Sequence, residues 1–268
     1  MFAARELHPG ECILTDRTAT GVCSTPRPNS CSNCYIRLPS SPASSCCCDA
    51  LFCSTACRDL AMTTYHQVLC GQDFTWLTER AKALKGNGSP LRPLLMLRFL
   101  AICIQAGPDK HPLDDPLIAR LQANPDKKHI DVFTYADSVD TPIKIIQQLG
   151  INVWENHNFD TMVLHTIWTR LANNKAGSPD PRLGYVDLIT PHLPLFNHSC
   201  EANVAWGREE GGTTVRFWAK RRIEKGEELF CSYLGGQEKF LGKEERWERL
   251  RPWFEGPCLC GRCKREGK

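Results

Sequence analysis

Asn197, His198, Ser199 and Cys200 form an uninterrupted polar run, and the last eleven residues hold Cys258-x-Cys260-x2-Cys263. Three thiolates so close together are one ligand short of a structural zinc site, which takes four N or S donors in a tetrahedron. Cys200, a single thiol in a polar run, is the candidate fourth. A zinc on Cys200, Cys258, Cys260 and Cys263 would pin the C-terminal tail against Asn197 and His198 and build a site between them.

A second reservoir of ligands lies upstream. Cys31-x2-Cys34, the triplet Cys46, Cys47 and Cys48, Cys53-x3-Cys57 and His66-x3-Cys70 follow one another within forty residues. Seven thiolates and one imidazole fill two tetrahedral sites. The two x3 spacings are those of adjacent helical turns, where both side chains of a pair face one metal. The expected arrangement is interleaved: Cys31, Cys34, Cys53 and Cys57 on one zinc, and two of the triplet with His66 and Cys70 on the other. Alternate residues of an extended segment converge more easily than neighbours, which favours Cys46 and Cys48. With four protein ligands each, such sites are structural, and about three zinc ions per chain are expected.

The elements that must position these groups are legible as a sequence of patterns. Residues 1–22 read as strand material with a turn at Pro9-Gly10, and 23–30 as a linker by composition. Leu77, Ala81 and Leu84, then Leu94, Leu97, Leu100, Ala101 and Ile104, recur at helical spacing. Residues 142–149 and 161–171 continue it, which predicts a helical stretch of about 100 residues ending near Lys175. Short strands are expected at 183–189 and 204–206. The segments 213–219 and 228–233 flank Lys225-Gly226 and read as a hairpin.

With 268 residues the chain can bury a real core. The longest apolar stretch, Leu91 to Ile104, is broken by Arg92, Pro93 and Arg98, well short of a membrane span of about 20 residues. The N-terminus has no apolar signal core, so sixteen cysteines read as metal ligands rather than disulfides. Thirty-three basic against 30 acidic residues leave a net charge of +3, too balanced to argue for nucleic acid. Arg216, Lys220, Arg221, Arg222 and Lys225 are therefore read as the solvated face of the hairpin.

Taken together, the motifs resemble the SET- and MYND-domain family of protein lysine methyltransferases, in its compact, divergent branch. Residues 52–57 and 65–70 are similar to a MYND zinc finger, and 195–203 to the SET signature. Residues 225–234 are similar to the segment that follows that signature, and Cys258-x-Cys260-x2-Cys263 to the post-SET zinc motif. The implied fold is α+β. Residues 1–28 would begin the SET domain, 29–72 be the MYND finger and 73–182 the helical insertion. Residues 183–235 would be the SET core and 236–268 the post-SET zinc region.

By the same resemblance Asn197 and His198 would contact S-adenosylmethionine, and Tyr233 would be the catalytic tyrosine. Asn173, with Asn174 as competitor, falls at another cofactor-binding position. Phe254 or Trp253 would pack near the adenine or the target lysine. Methyl transfer to an amine is an in-line displacement in which positioning dominates. Free lysine, with a pKa of about 10.4, must first lose its proton, and an apolar channel lowers that pKa by desolvation. A tyrosine hydroxyl there need only orient the amine.

The sequence departs from the family in two places. The family opens its SET domain with a Gly-x-Gly loop that approaches the cofactor. This sequence begins at Met1-Phe2-Ala3-Ala4-Arg5, inside the strand that follows, so a longer form or a reduced cofactor site is expected. Ala202 stands where the family usually has proline, which should cost local rigidity. The first departure raises a rival: a non-catalytic adaptor whose MYND block binds proline-containing peptides on a SET scaffold. The implied partner is a protein substrate with a target lysine, with neither nucleic acid nor membrane, in nucleus and cytoplasm.

Overall fold

In the computed structural model, which describes residues 1–24, 30–38, 44–83, 91–123, 135–180, 183–208, 212–251, 253–254 and 256–267, the N-terminal segment pairs far along the chain. Ala3 N donates to Glu227 O and Leu7 N to Ile223 O, both at 2.9 Å. Strand β1 (Cys12–Arg17) follows a turn at Gly10, then β2 (Thr20–Cys23). The metal-ligand block contains β3 (Ser44–Ser45), β4 (Leu51–Phe52) and α1 (Thr55–Ala61). A π-helical turn, Met62–His66, joins α1 to α2 (Gln67–Leu69).

Helices follow, as the periodicity predicts: α3 (Thr75–Ala83), α4 (Arg92–Ala106), α5 (Pro116–Arg120), α6 (Thr141–Gln148) and α7 (Thr161–Asn174). Leu84 lies outside the described residues. The chain then returns to strands: β5 (Ala176–Asp180), β6 (Gly184–Ile189), β7 (Asn197–His198), β8 (Val204–Arg208), β9 (Thr214–Ala219) and β10 (Phe230–Cys231). It ends with α8 (Lys243–Leu250) and α9 (Gly261–Arg265). Residues 176–180, inside the stretch assigned to the helical insertion, are therefore strand.

Two three-stranded antiparallel sheets, ordered β1-β9-β8 and β2-β6-β5, form the β portion, and β7 pairs with β10 in parallel. This corrects the expected hairpin. The turn is present, with Gly226 at φ +84°, a conformation that suits glycine. Yet β9 is flanked by β1 and β8, whereas β10 crosses over to β7. A turn signal fixes a change of direction, and the pairing of what flanks it is decided by burial. The basic residues there are partly neutralised: Arg221 pairs with Glu227, and Arg222 with Glu6 at 2.7 Å.

Among the described residues, four apolar clusters hold the fold together. Helices α4, α6 and α7 bury Leu95, Phe99, Ile145, Leu164 and Ile167 against β2 and Ile189. The sheets bury Val186, Phe196, Val215 and Phe217, with the rings of Phe196 and Phe217 stacked 4.8 Å apart. Phe52, Tyr65 and Ala101 join the metal-ligand block to α4. The fourth cluster, Leu234, Leu250, Cys258 and Cys263, carries Tyr233, Trp253 and Phe254 on its flank. No helix of the described residues is long and apolar enough to cross a membrane.

Candidate active site

The parallel pairing of β7 with β10 sets Asn197 beside Phe230 and His198 beside Cys231. Tyr233, two residues beyond β10, is thereby brought onto His198. Its backbone N donates to His198 Nδ1 at 2.9 Å, and its hydroxyl donates to Phe196 O at 2.8 Å. An Nδ1 that accepts a peptide N–H carries no proton of its own, so the neutral ring holds its proton on Nε2. Burial, reinforced by the charge of Arg246, lowers His198 to about 4, and the ring is neutral at physiological pH. Burial, then the neighbouring Cys231, pushes the Tyr233 hydroxyl up to about 12, so it stays protonated.

An aromatic wall completes the recess. Phe254 stacks parallel to Tyr233 with centroids 5.9 Å apart, and Trp253 meets Tyr233 edge-on at 5.7 Å. His198 lies 5.2 Å from Tyr233 and 5.8 Å from Phe254. The sequence left Phe254 and Trp253 as alternatives; both flank Tyr233. Trp253 Nε1 also donates to Asn173 O at 3.1 Å, which joins the end of α7 to the wall. The side-chain amides of Asn173 and Asn174 both donate to Gln122 O, at 3.1 and 2.7 Å, so α7 presents the pair together. Asn197 is exposed and donates to Glu228 Oε1 at 2.7 Å.

Among the described residues, three sets of side chains have ligand atoms within 4.8 Å of one another: Cys31, Cys34, Cys53 and Cys57; Cys46, Cys48, His66 and Cys70; Cys200, Cys258, Cys260 and Cys263. Each offers four sulfur or nitrogen donors, a composition suited to tetrahedral zinc. The local frame differs from expectation at two points. Cys53 precedes α1 rather than lying on it, and Ser54 caps the helix by accepting from Cys57 N at 3.1 Å. The cap, not helical spacing, swings Cys53 and Cys57 together. The triplet lies on a tight turn, where Cys46 N donates to Ala50 O and Asp49 sits at φ +63°. Cys47, outside the set, is exposed, and its Sγ is 3.5 Å from that of Cys70.

Each set holds a thiol drawn toward the thiolate. Cys31 is lowered chiefly by a hydrogen bond with Cys34, and Cys46 by the N–H of Cys48. Burial works against Cys260, yet the N–H groups of Cys263 and Cys200 bring it down.

Two residues escaped the sequence reading. Arg246, fully buried, lies against the third set, with Nη2 3.4 Å from Cys263 Sγ and 2.5 Å from Glu266 Oε2. Asn203 is 2% exposed and makes three bonds: Nδ2 to Glu228 O and Glu227 Oε1, and Oδ1 from Phe230 N. It clamps the segment after β7 to the strand entering the site. Its place at the end of the 195–203 stretch was the available signal; for Arg246, in a charged helix, there was none.

The family model of the SET domain matches residues 1–234. The chain belongs to the SET domain family. Among curated relatives it is similar to N-lysine methyltransferase SMYD2-B of Xenopus laevis, 30% identical over 113 residues, covering 42% of this chain and 25% of the relative. It is 42% identical over 86 residues to histone-lysine N-methyltransferase SET5 of Yarrowia lipolytica, covering 31% and 18%. To protein-lysine N-methyltransferase SMYD4 of Mus musculus it is 38% identical over 78 residues, covering 29% and 9%. The chain thus matches a quarter or less of the length of these relatives.

Proposed function

We propose that this SET-domain chain is a protein-lysine N-methyltransferase that uses S-adenosylmethionine as methyl donor. The observation that carries the reading is the convergence of Asn197, His198, Tyr233, Trp253 and Phe254 at the β7–β10 pairing of a SET fold. The relatives named above are all called lysine methyltransferases, which supports an enzyme over a proline-peptide adaptor.

The residues present fit the donor molecule. The exposed amide of Asn197, the amides of Asn173 and Asn174 and the faces of Phe254 and Trp253 offer polar and stacking contacts for a nucleoside with an amino-acid tail. When bound, S-adenosylmethionine supplies an electrophilic methyl group on a sulfonium. The protein's share is placement. The hydroxyl of Tyr233, anchored on Phe196 O and protonated, orients an incoming amine. The apolar wall of Trp253 and Phe254 disfavours ammonium and releases the lone pair the amine needs. Holding both partners in line supplies most of the acceleration such a reaction needs.

In this reading the first two metal sets form a MYND-type finger and the third a post-SET knuckle, each with zinc. Their donors fit: four thiolates in the first and third sets, three thiolates and an imidazole in the second, with no position left for water. The third zinc would hold Cys200, two residues from His198, to the tail that carries Phe254. Activity in nucleus and cytoplasm belongs to the same proposal.

The test is methyl transfer to a lysine-containing protein substrate by wild type and Tyr233→Phe, both zinc-loaded. The variant should keep its fold and lose about 10²-fold or more in rate, the range for a reacting group left out of position. Full activity in Tyr233→Phe would overturn the assignment.

A further inference from the structure

The second metal set has one donor more than a metal needs. Cys46, Cys48, His66 and Cys70 fill a tetrahedral site, and Cys47 stands beside them. Its Sγ lies 3.5 Å from Cys70 Sγ, the distance at which Cys46 Sγ also meets that atom. Cys48 turns instead to the imidazole, 3.4 Å from His66 Nε2. Cys70 therefore touches two sulfurs, of which its metal uses one.

Access separates Cys47 from the other thiols. Five cysteines fall outside the three sets; Cys23, Cys103 and Cys231 are buried, whereas Cys12 and Cys47 are exposed. Cys12 Sγ approaches Leu14 O and Thr15 Oγ1, both at 3.8 Å, and among the described residues has no second sulfur at contact. Cys47 alone joins exposure to a neighbouring thiol.

Geometry also selects its partner. Consecutive Cα atoms are about 3.8 Å apart, below the roughly 4.4–6.8 Å of ordinary disulfides, which disfavours a bridge to Cys46 or Cys48. Cys70, far along the chain at the end of α2, is under no such constraint.

We propose that Cys47 and Cys70 are a redox pair through which a hydroperoxide ejects the metal of the second set. The Cys47 thiolate attacks one peroxide oxygen, the O–O bond breaks, and hydroxide leaves and takes up the proton that the thiol gave to solvent. Cys70 then gives up its bond to the metal, and its electron pair attacks the sulfenic sulfur. The S–S bond forms, the S–O bond breaks, and the second hydroxide is protonated by solvent. Two thiol sulfurs are oxidised by two electrons, and the peroxide is reduced to two molecules of water or, for an organic peroxide, water and an alcohol. Cys46, Cys48 and His66 remain, one ligand short of a structural site. His66 meets Phe52 edge-on at 5.6 Å, and Phe52 and Tyr65 seat the block against Ala101 of α4. Metal loss would loosen that seat, since binding energy at such sites is folding energy. The inference rests on the reading that the second set holds zinc, and on no part of the methyl-transfer reading.

Hydrogen peroxide in slight excess over the zinc-loaded chain tests it. Released zinc is read with a chromogenic chelator, and the cross-link by mass spectrometry of unreduced proteolytic peptides. Wild type should release one of about three zinc ions and yield a peptide linked through Cys47 and Cys70. Dithiothreitol with added zinc should reverse both changes. Cys47→Ala should release none under the same treatment, and Cys12→Ala should behave as wild type. Release at the wild-type rate from Cys47→Ala overturns the proposal, as does release without the Cys47–Cys70 link. A full zinc complement that peroxide leaves in place overturns it alone. If Cys70→Ser holds as much zinc as untreated wild type, the zinc reading of the second set falls, and the proposal falls with it.

Discussion

Replacing Arg246 by methionine removes a guanidinium that is fully buried against the third metal set, without opening a large cavity. The charge arithmetic sets the direction. Four thiolates around a divalent ion would leave two net negative charges in a desolvated corner, and Arg246 stands against that set through Cys263 Sγ. Its other donors reach Leu241 O at 2.7 Å and Glu266, so the guanidinium cannot turn away to water. Outer partners of metal ligands are typically worth 10–100-fold in affinity, or about 1.4–2.8 kcal/mol. The assay is zinc release to a chromogenic chelator, followed as three phases. One phase should accelerate by about that factor in Arg246→Met. Arg246→Lys, which keeps charge but loses the fork, should fall between. The Cys31–Cys57 and Cys46–Cys70 sets are an internal control, since neither touches Arg246. If all three phases accelerate together, the variant is merely unstable; if none does, the electrostatic argument is wrong.

The remaining predictions concern other parts of the same frame. Cys47→Ala should retain three zinc ions per chain by mass spectrometry, whereas Cys70→Ser should retain two, because only Cys70 belongs to a four-ligand set. Asn203→Ala should lower unfolding free energy by about 2–4 kcal/mol in denaturant titration, from three hydrogen bonds lost at a buried position. Glu227, held down to about 2 chiefly by its hydrogen bond with Arg221, has a folded pKa below its unfolded value near 4.5. Its contribution is therefore complete above pH 4.5 and is lost as pH falls toward 2. The Tm gap between wild type and Glu227→Gln should narrow over that interval; a gap independent of pH would contradict the linkage.

What the sequence disclosed followed from local rules, and what it hid was long-range. The three metal sets were legible because ligand count and spacing are nearly sufficient constraints. Even there, the role of Ser54 in turning Cys53 toward Cys57 depended on a cap, and the triplet's turn on a left-handed Asp49. Helices α4, α6 and α7 announced themselves by apolar periodicity. The partner of β10 did not, because a two-residue strand has no periodicity and its parallel mate lies more than thirty residues away. Arg246 was hidden for the opposite reason. In Lys243–Leu250 it is one of several charged residues, and only the tail folding over α8 buries it.

That burial bears on why a structural metal should sit beside the chemistry. Leu250, Cys258 and Cys263 form one apolar cluster with Trp253 and Phe254 on its flank. A segment this short has little core of its own, and Trp253 and Phe254 lie between α8 and the Cys258–Cys263 ligands. Without a clip at both ends, their ring contacts with Tyr233 would have to offset the ordering of the whole tail, at roughly 1–2 kcal/mol per residue. An offset aromatic pair supplies only about 0.5–1.5 kcal/mol beyond its burial. Zinc on Cys200, Cys258, Cys260 and Cys263 would close that deficit, and would do so from a residue two positions after His198. Metal removal should therefore loosen Trp253 before it melts the sheets. Tryptophan emission should shift to the red on chelation while the strand circular dichroism persists. Simultaneous loss of both signals would mean that the tail does not depend on the clip.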